Sequence, residues 1–182
     1  MANILTPIKA PFPAEVVEGF KRYPQRDGYV IGLFRVFANS VRLLNKGFVN
    51  LLDKASPLPV IEREIIILRI SANNKCEYEW GVHVSAFSEY AGLTKDQVSA
   101  TVLLDHTAQC WDEKQSTLIQ CIDELCDKGV MSSTTLKKFR NLWDLEQQLE
   151  ILTLAGSYHT IAFIANASEL PWEEFAEHFP RP

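Results

Sequence analysis

Between Pro59 and Pro171 the chain contains no proline. Proline removes an amide donor and clashes with the preceding helical turn, so its absence leaves the whole middle of the chain free to run as helices. Pro7, Pro11, Pro13 and Pro24 break up the start, and Pro171, Pro180 and Pro182 the end. Pro57 and Pro59 make the one internal break. No run of alternating β-branched residues competes with the helical reading, and no hairpin is expected. The chain reads as all-α, with about eight helices.

The spacing predicts a short helix from Ala14 to Arg22. A run from Gly28 to Asp53 follows, with Leu33, Val36, Phe37, Val41, Leu44 and Phe48 at helical intervals and a break near Asn39-Ser40. After Pro59, Ile61 to Ala72 forms a helix ending at Asn73-Asn74, residues suited to a left-handed cap. Another runs from near Cys76 to before Gly92. Thr94-Lys95-Asp96-Gln97 reads as a capping box, as does Asp144-Leu145-Glu146-Gln147. Asp112 to Asp127 is an amphipathic run ending at Gly129, and Ser132 or Ser133 caps the next. The stretch from Ile151 to Ala167 is interrupted by Ser157, His159 and Thr160. It falls short of a membrane span and is expected as a helix buried on nearly all sides. Trp172 to Glu177 is expected as a short amphipathic helix. Nothing marks an internal boundary, so one domain over residues 1–182 is expected.

Composition excludes several functions. The 182 residues carry a net charge of −5, which offers no basic field to nucleic acid or an anionic membrane. The first residues have neither a charged nor an apolar leader segment, so a cytoplasmic location is expected. Cys76, Cys110, Cys121 and Cys126 form no Cys-x-x-Cys and no disulfide-scaffold pattern, and the four histidines lie far apart in sequence. No metal and no cofactor are expected. Cys121 and Cys126 read as core or half-buried residues.

One segment concentrates chemistry: Cys76-Glu77-Tyr78-Glu79-Trp80-Gly81-Val82-His83. Its thiol, carboxylate and imidazole stand three, four and seven residues apart, steps that return to one face of a helix. Glu64 lies twelve residues before Cys76. On a regular helix Tyr78 and Trp80 point away from the Cys76–His83 face and pack. Blander readings stand beside the catalytic one. Glu79 and His83 could be a surface pair, Cys76 a structural thiol and Glu64 a first-turn carboxylate. His159 reads as a hydrogen-bonded core histidine.

Glu62-Arg63-Glu64-Ile65-Ile66-Ile67-Leu68-Arg69, followed by Cys76-Glu77-Tyr78-Glu79-Trp80 and His83, resembles the carboxymuconolactone decarboxylase family, which includes the alkylhydroperoxidase AhpD. The core of the resemblance runs from about residue 57 to 102, and a looser part covers Ile151 to His159 with its Gly156-Ser157-Tyr158. The resemblance implies an AhpD-like orthogonal helical bundle assembling as a trimer or hexamer, with a small-molecule substrate. In the AhpD pattern Glu64, Cys76 and His83 match functional positions, but Glu79 stands where the second cysteine would be. A dithiol peroxidase cycle needs two sulfurs, so that cycle is unavailable.

The decarboxylase branch resembles the chain through Glu79 and His83, one helical turn apart. That implies a lyase in which Glu79 and His83 do acid/base work on a small organic acid or lactone, with Arg63 or Arg69 as cation and Tyr158 at the substrate. Two alternatives remain: peroxide reduction with Cys76 as a single reactive thiol, and an oligomeric binding protein without turnover.

Overall fold

A computed structural model describes residues 4–47 and 51–181. Among them nine helices form: α1 (Ala14–Phe20), α2 (Gly32–Phe37), α3 (Val41–Lys46), α4 (Val60–Asn73), α5 (Glu77–Ala91), α6 (Lys95–Leu103), α7 (Glu113–Lys128), α8 (Ser133–Leu142) and α9 (Leu145–Asn166). The all-α expectation is met. The start of the chain departs from it, because the run expected from Gly28 begins only at Gly32. Before it, Asp27 and Gly28 adopt φ of 51° and 79° and close a tight turn whose flanks, Arg26 and Tyr29, exchange both backbone hydrogen bonds. Asp-Gly tolerates two successive positive φ values, so a local hairpin turn wins where helix was expected. Phe48 lies outside the described residues.

Side-chain caps open five of the nine described helices. Thr94, Asp112 and Asp144 each accept from the backbone amide three residues on, and Gln97, Gln115 and Gln147 return the bond. Ser40 and Ser132 cap α3 and α8. The turn after α4 differs from expectation: Asn74 has φ −87°, and Lys75 takes the left-handed conformation at φ 54°.

Helix α4 occupies the centre, against α5, α6, α7 and α9. It is buried continuously from Glu62 to Ser71, and Ile65, Ile66, Ile67 and Leu68 have no exposure at all. These four consecutive apolar side chains go right round the helix and drive it inward, each contributing about 1.5–3 kcal/mol of burial free energy. One core cluster joins α4 to α7, α8 and α9 through Ile66, Ile119, Phe139, Trp143 and Ile151. A second joins α1–α3 to the start of α5 and the end of α9 through Phe20, Leu33, Phe37, Leu44, Cys76 and Ala162. The Glu62 charge on α4 is satisfied from its neighbours. Glu62 accepts from Trp143 Nε1 at 2.7 Å and pairs with Lys114 at 2.6 Å.

Two expectations about the C-terminal third are corrected. Residues 171–181 are not helical but form an extended strap with one turn. Glu173, 3 % exposed, accepts from Tyr29 Oη, Tyr78 Oη and the Gly32 amide, which ties the strap to α2, α5 and the turn before α2. Helix α9 is not buried on nearly all sides. Ile151, Leu154, Ala155, Tyr158, Ala162 and Ala165 face the core, while Leu145, Leu149 and Phe163 stand in solvent. No described helix is long and apolar enough to cross a membrane.

Candidate functional site

Helices α4, α5 and α9 each send one group to a common point. Glu64 comes from the second turn of α4, His83 from the middle of α5 and Tyr158 from the buried face of α9. Glu64 Oε2 lies 2.9 Å from His83 Nδ1, and Tyr158 Oη lies 3.0 Å from His83 Nε2. Glu79, one turn before His83, places Oε1 3.4 Å from the same Nε2. Glu64, Glu79, His83 and Tyr158 are all buried, at 3 %, 4 %, 4 % and 7 % exposure, so Glu79 and His83 are not a solvated surface pair. Glu64 is not a first-turn carboxylate; that place belongs to Glu62.

Two forces act on the imidazole. Burial disfavours its charge, but the Glu64 and Glu79 carboxylates outweigh that and raise its pKa from 6.5 to about 10. As an imidazolium, His83 donates from Nδ1 to Glu64 and from Nε2 toward Tyr158 and Glu79. The Tyr158 hydroxyl is pushed well above its ordinary value by burial and by both carboxylates, so it stays protonated and its hydrogen remains free to donate. Glu79 Oε2 is buried without any hydrogen-bond partner. The arrangement therefore holds a proton donor and a bare proton acceptor within one buried cluster.

The other residues singled out by sequence are placed differently. Cys76 caps the N-terminus of α5 rather than lying on its face, has no exposure, and makes no hydrogen bond with His83. Burial pushes its thiol up to about 12, where the reactive thiolate is suppressed. Arg69 does not join the cluster. Its guanidinium is consumed by Asp123 at 2.6 and 2.8 Å and by the carbonyls of Thr101 and Leu104. Arg63 donates through Nη1 to the carbonyls of Leu51 and Asp53 and keeps a buried, unpartnered Nε. Tyr78 and Trp80 point away as expected, to Glu173 and to Thr101 Oγ1. His159 is half-buried and lies edge-on to Phe163 at 4.5 Å, not in a core hydrogen bond.

A depression of about 250 Å³ leads toward the cluster, lined by Leu52, Val60, Arg63, Glu64, Ala86, Phe87 and Tyr90. Among these, Phe87 lies beside the imidazole, its ring centroid 5.1 Å from that of His83. A larger depression of about 360 Å³ beside α6 contains no member of the cluster. Among the described residues no group of His, Cys, Asp and Glu side chains could hold a metal. Sequence spacing missed Phe87, which stands four residues beyond His83 and so shares its face.

Comparison with known proteins gives one family match and one likeness of fold. The family model described as "Carboxymuconolactone decarboxylase family" matches residues 43–120. The crystal structure of an uncharacterized peroxidase-related protein from Silicibacter sp. TM1040 superposes with a TM-score of 0.76 over 96 % of each chain, at 19 % identity. That likeness establishes the AhpD-like fold. No curated protein matches the chain. The matched stretch, residues 43–120, holds Glu64, Cys76, Glu79 and His83.

Proposed function

We propose that this protein is an acid/base enzyme of the decarboxylase type, acting on a small organic acid or lactone through Glu79 and His83. The observation that carries the reading is Glu79 Oε2, a buried carboxylate oxygen with no donor beside an imidazole held in its charged form. Leaving such an atom unpaired costs about 1–3 kcal/mol or more. A substrate C–H or O–H group would relieve that cost, and a base needs a free oxygen of this kind.

In decarboxylation with double-bond migration, the bond to the carboxyl carbon breaks and its electron pair enters the conjugated system. Carbon dioxide leaves, and a proton is delivered at the far carbon. His83 supplies that proton from Nε2, with Tyr158 beside it, and Glu64 holds the ring through Nδ1. Glu79 takes the substrate proton when isomerisation comes first. Arg63 borders the depression next to Glu64, and its unpartnered Nε suits a substrate carboxylate. Arg69 has four of its five N–H donors engaged with Asp123, Thr101 and Leu104 and lies outside the cluster.

Peroxide reduction by Cys76 has less support, because the thiol is buried and its pKa is raised. The test is a screen of enolisable acids and lactone acids in deuterated water, followed by NMR. Deuterium incorporation or carbon dioxide release is expected with the native chain. Glu79→Gln and His83→Gln should each reduce it about 10²–10⁴-fold. Turnover that survives both changes, or no turnover of any such compound despite binding, would overturn the proposal. Binding without turnover would favour the binding-protein reading.

A further inference from the structure

Arg63 and Arg69 both stand on α4 and use their guanidinium groups alike, with one difference. A guanidinium carries five N–H donors in a fixed fork. In Arg69, Nη1 donates to the carbonyls of Thr101 and Leu104, and the Nε–Nη2 edge grips the Asp123 carboxylate at 2.6 and 2.8 Å. In Arg63, Nη1 donates to the carbonyls of Leu51 and Asp53 at 3.2 and 2.9 Å, and the Nε–Nη2 edge has no partner among the described residues. Arg63 is 7 % exposed, and no acidic side chain among the described residues pairs with it. A buried cation without an anion is costly, because burial strips its water and nothing replaces it. The two carbonyls hold the fork in place, and its open edge matches a carboxylate through two parallel bonds.

The surroundings of Arg63 select what that carboxylate can carry. Arg63 and Glu64 line the depression of about 250 Å³ with Leu52, Val60, Ala86, Phe87 and Tyr90. Among the described lining residues Arg63 is the one cation, and Glu64 is an acid. A second carboxylate would find no cation there and would meet a like charge. The rest of the wall is apolar or aromatic, which suits a hydrocarbon body. The volume lies below the roughly 300–1,000 Å³ of sites for drug-sized molecules, so that body is about one ring in size. Glu64 and Phe87 join this wall to His83, through a 2.9 Å hydrogen bond and a ring contact at 5.1 Å. An acid held on Arg63 therefore lies next to the buried cluster.

We propose that this depression takes a small carboxylic acid with a single carboxylate and an apolar, ring-sized body, the carboxylate held by the Nε–Nη2 edge of Arg63. Calling that acid the substrate rests on the acid/base reading of the neighbouring cluster. The inference narrows that reading, because acids and lactones with a second carboxylate are turned away.

Calorimetric titration of the full native chain tests this with three probes of one shape: p-toluate, the diacid terephthalate and the neutral p-toluamide. p-Toluate should bind about ten- to hundredfold more tightly than either of the others. Arg63→Gln should erase the preference for acid over amide, and Arg63→Lys should restore only part of it, since an ammonium lacks the fork. Arg63 also anchors the Leu51 and Asp53 carbonyls, so a second variant leaves it intact. Ala86→Trp fills the depression from an exposed position on α5, and should abolish p-toluate binding with thermal unfolding unchanged. No binding of p-toluate at millimolar concentration, or equal or tighter binding of terephthalate, would overturn the proposal. So would an acid preference that survives Arg63→Gln, native affinity in Arg63→Lys, or native affinity in Ala86→Trp. These results concern binding alone. The acid/base reading stands or falls separately, on deuterium exchange in Glu79→Gln and His83→Gln, which leave every contact proposed here in place.

Discussion

Gly81→Ala sets two calculable effects against each other. Gly81 lies on α5 between Glu79 and His83, and the strap crosses directly over it. A Cβ there would overlap the Glu177 carbonyl oxygen and approach the Glu177 carbonyl carbon at 3.1 Å and amide nitrogen at 3.3 Å. These are backbone atoms, so no side-chain rotation relieves the clash. Helix propensity alone favours alanine by about 1 kcal/mol. Against it, the strap must lift, which removes the Glu177 amide's bonds to Gly81 O and Ser85 Oγ and the Phe179 amide's bond to Glu77. The contact between the Trp80 and Phe179 rings, 5.3 Å apart, also goes. At about 1 kcal/mol for each amide and 0.5–1.5 for the rings, the loss is about 2.5–3.5 kcal/mol.

The net expectation is destabilisation by about 1.5–2.5 kcal/mol, a fall in melting temperature of roughly 3–10 °C for a chain of this size. Thermal unfolding measures the net effect, and hydrogen exchange at the Glu177 and Phe179 amides locates it. Glu173 keeps its three hydrogen bonds four residues upstream, so the strap should release from about residue 176 onward while α4 stays protected. A higher melting temperature with full protection of the Phe179 amide would show that the strap does not bear on Gly81, and would refute the reasoning.

Two further outcomes are expected. The His83 pKa is raised in the folded chain, so its contribution to stability is complete below pH 6.5 and is lost as pH rises through about 10. The stability gap between the native chain and His83→Gln should narrow across that window in denaturant titrations; a constant gap would mean that His83 is folded in its neutral form. Cys76 should resist mild peroxide in the folded protein and react in urea, as read by mass spectrometry. Sulfenic acid at native Cys76, formed as fast as at half-buried Cys110, would contradict its burial.

The sequence determined what depends on neighbours a few residues apart. Proline placement and 3.6-residue periodicity marked the helices, because backbone hydrogen bonding and one-sided burial are local in sequence. The boxes at Thr94 and Asp144 were legible for the same reason: a cap and its partner are three residues apart. Local chemistry was overlooked once, at Asp27-Gly28, where a turn signal lay inside a helical pattern. The pairing of Glu79 with His83 was visible as one helical turn, and the family resemblance rested on similarly short spacings.

Only the tertiary structure decided which of those groups meet. It brought Glu64 and Tyr158 to opposite nitrogens of one imidazole, from positions 19 residues before it and 75 after it. It sent Arg69 to Asp123 and sank Cys76 into the core. The packing of α4 among its neighbours fixes those contacts, and no spacing within a single helix encodes them. The strap and the bare face of α9 have the same origin. Whether an apolar segment is covered, and by what, depends on surfaces far away in sequence. The segment 171–177 is held in place by Tyr29, Gly32 and Tyr78, three donors to the Glu173 carboxylate that lie about 95 to 144 residues away in sequence.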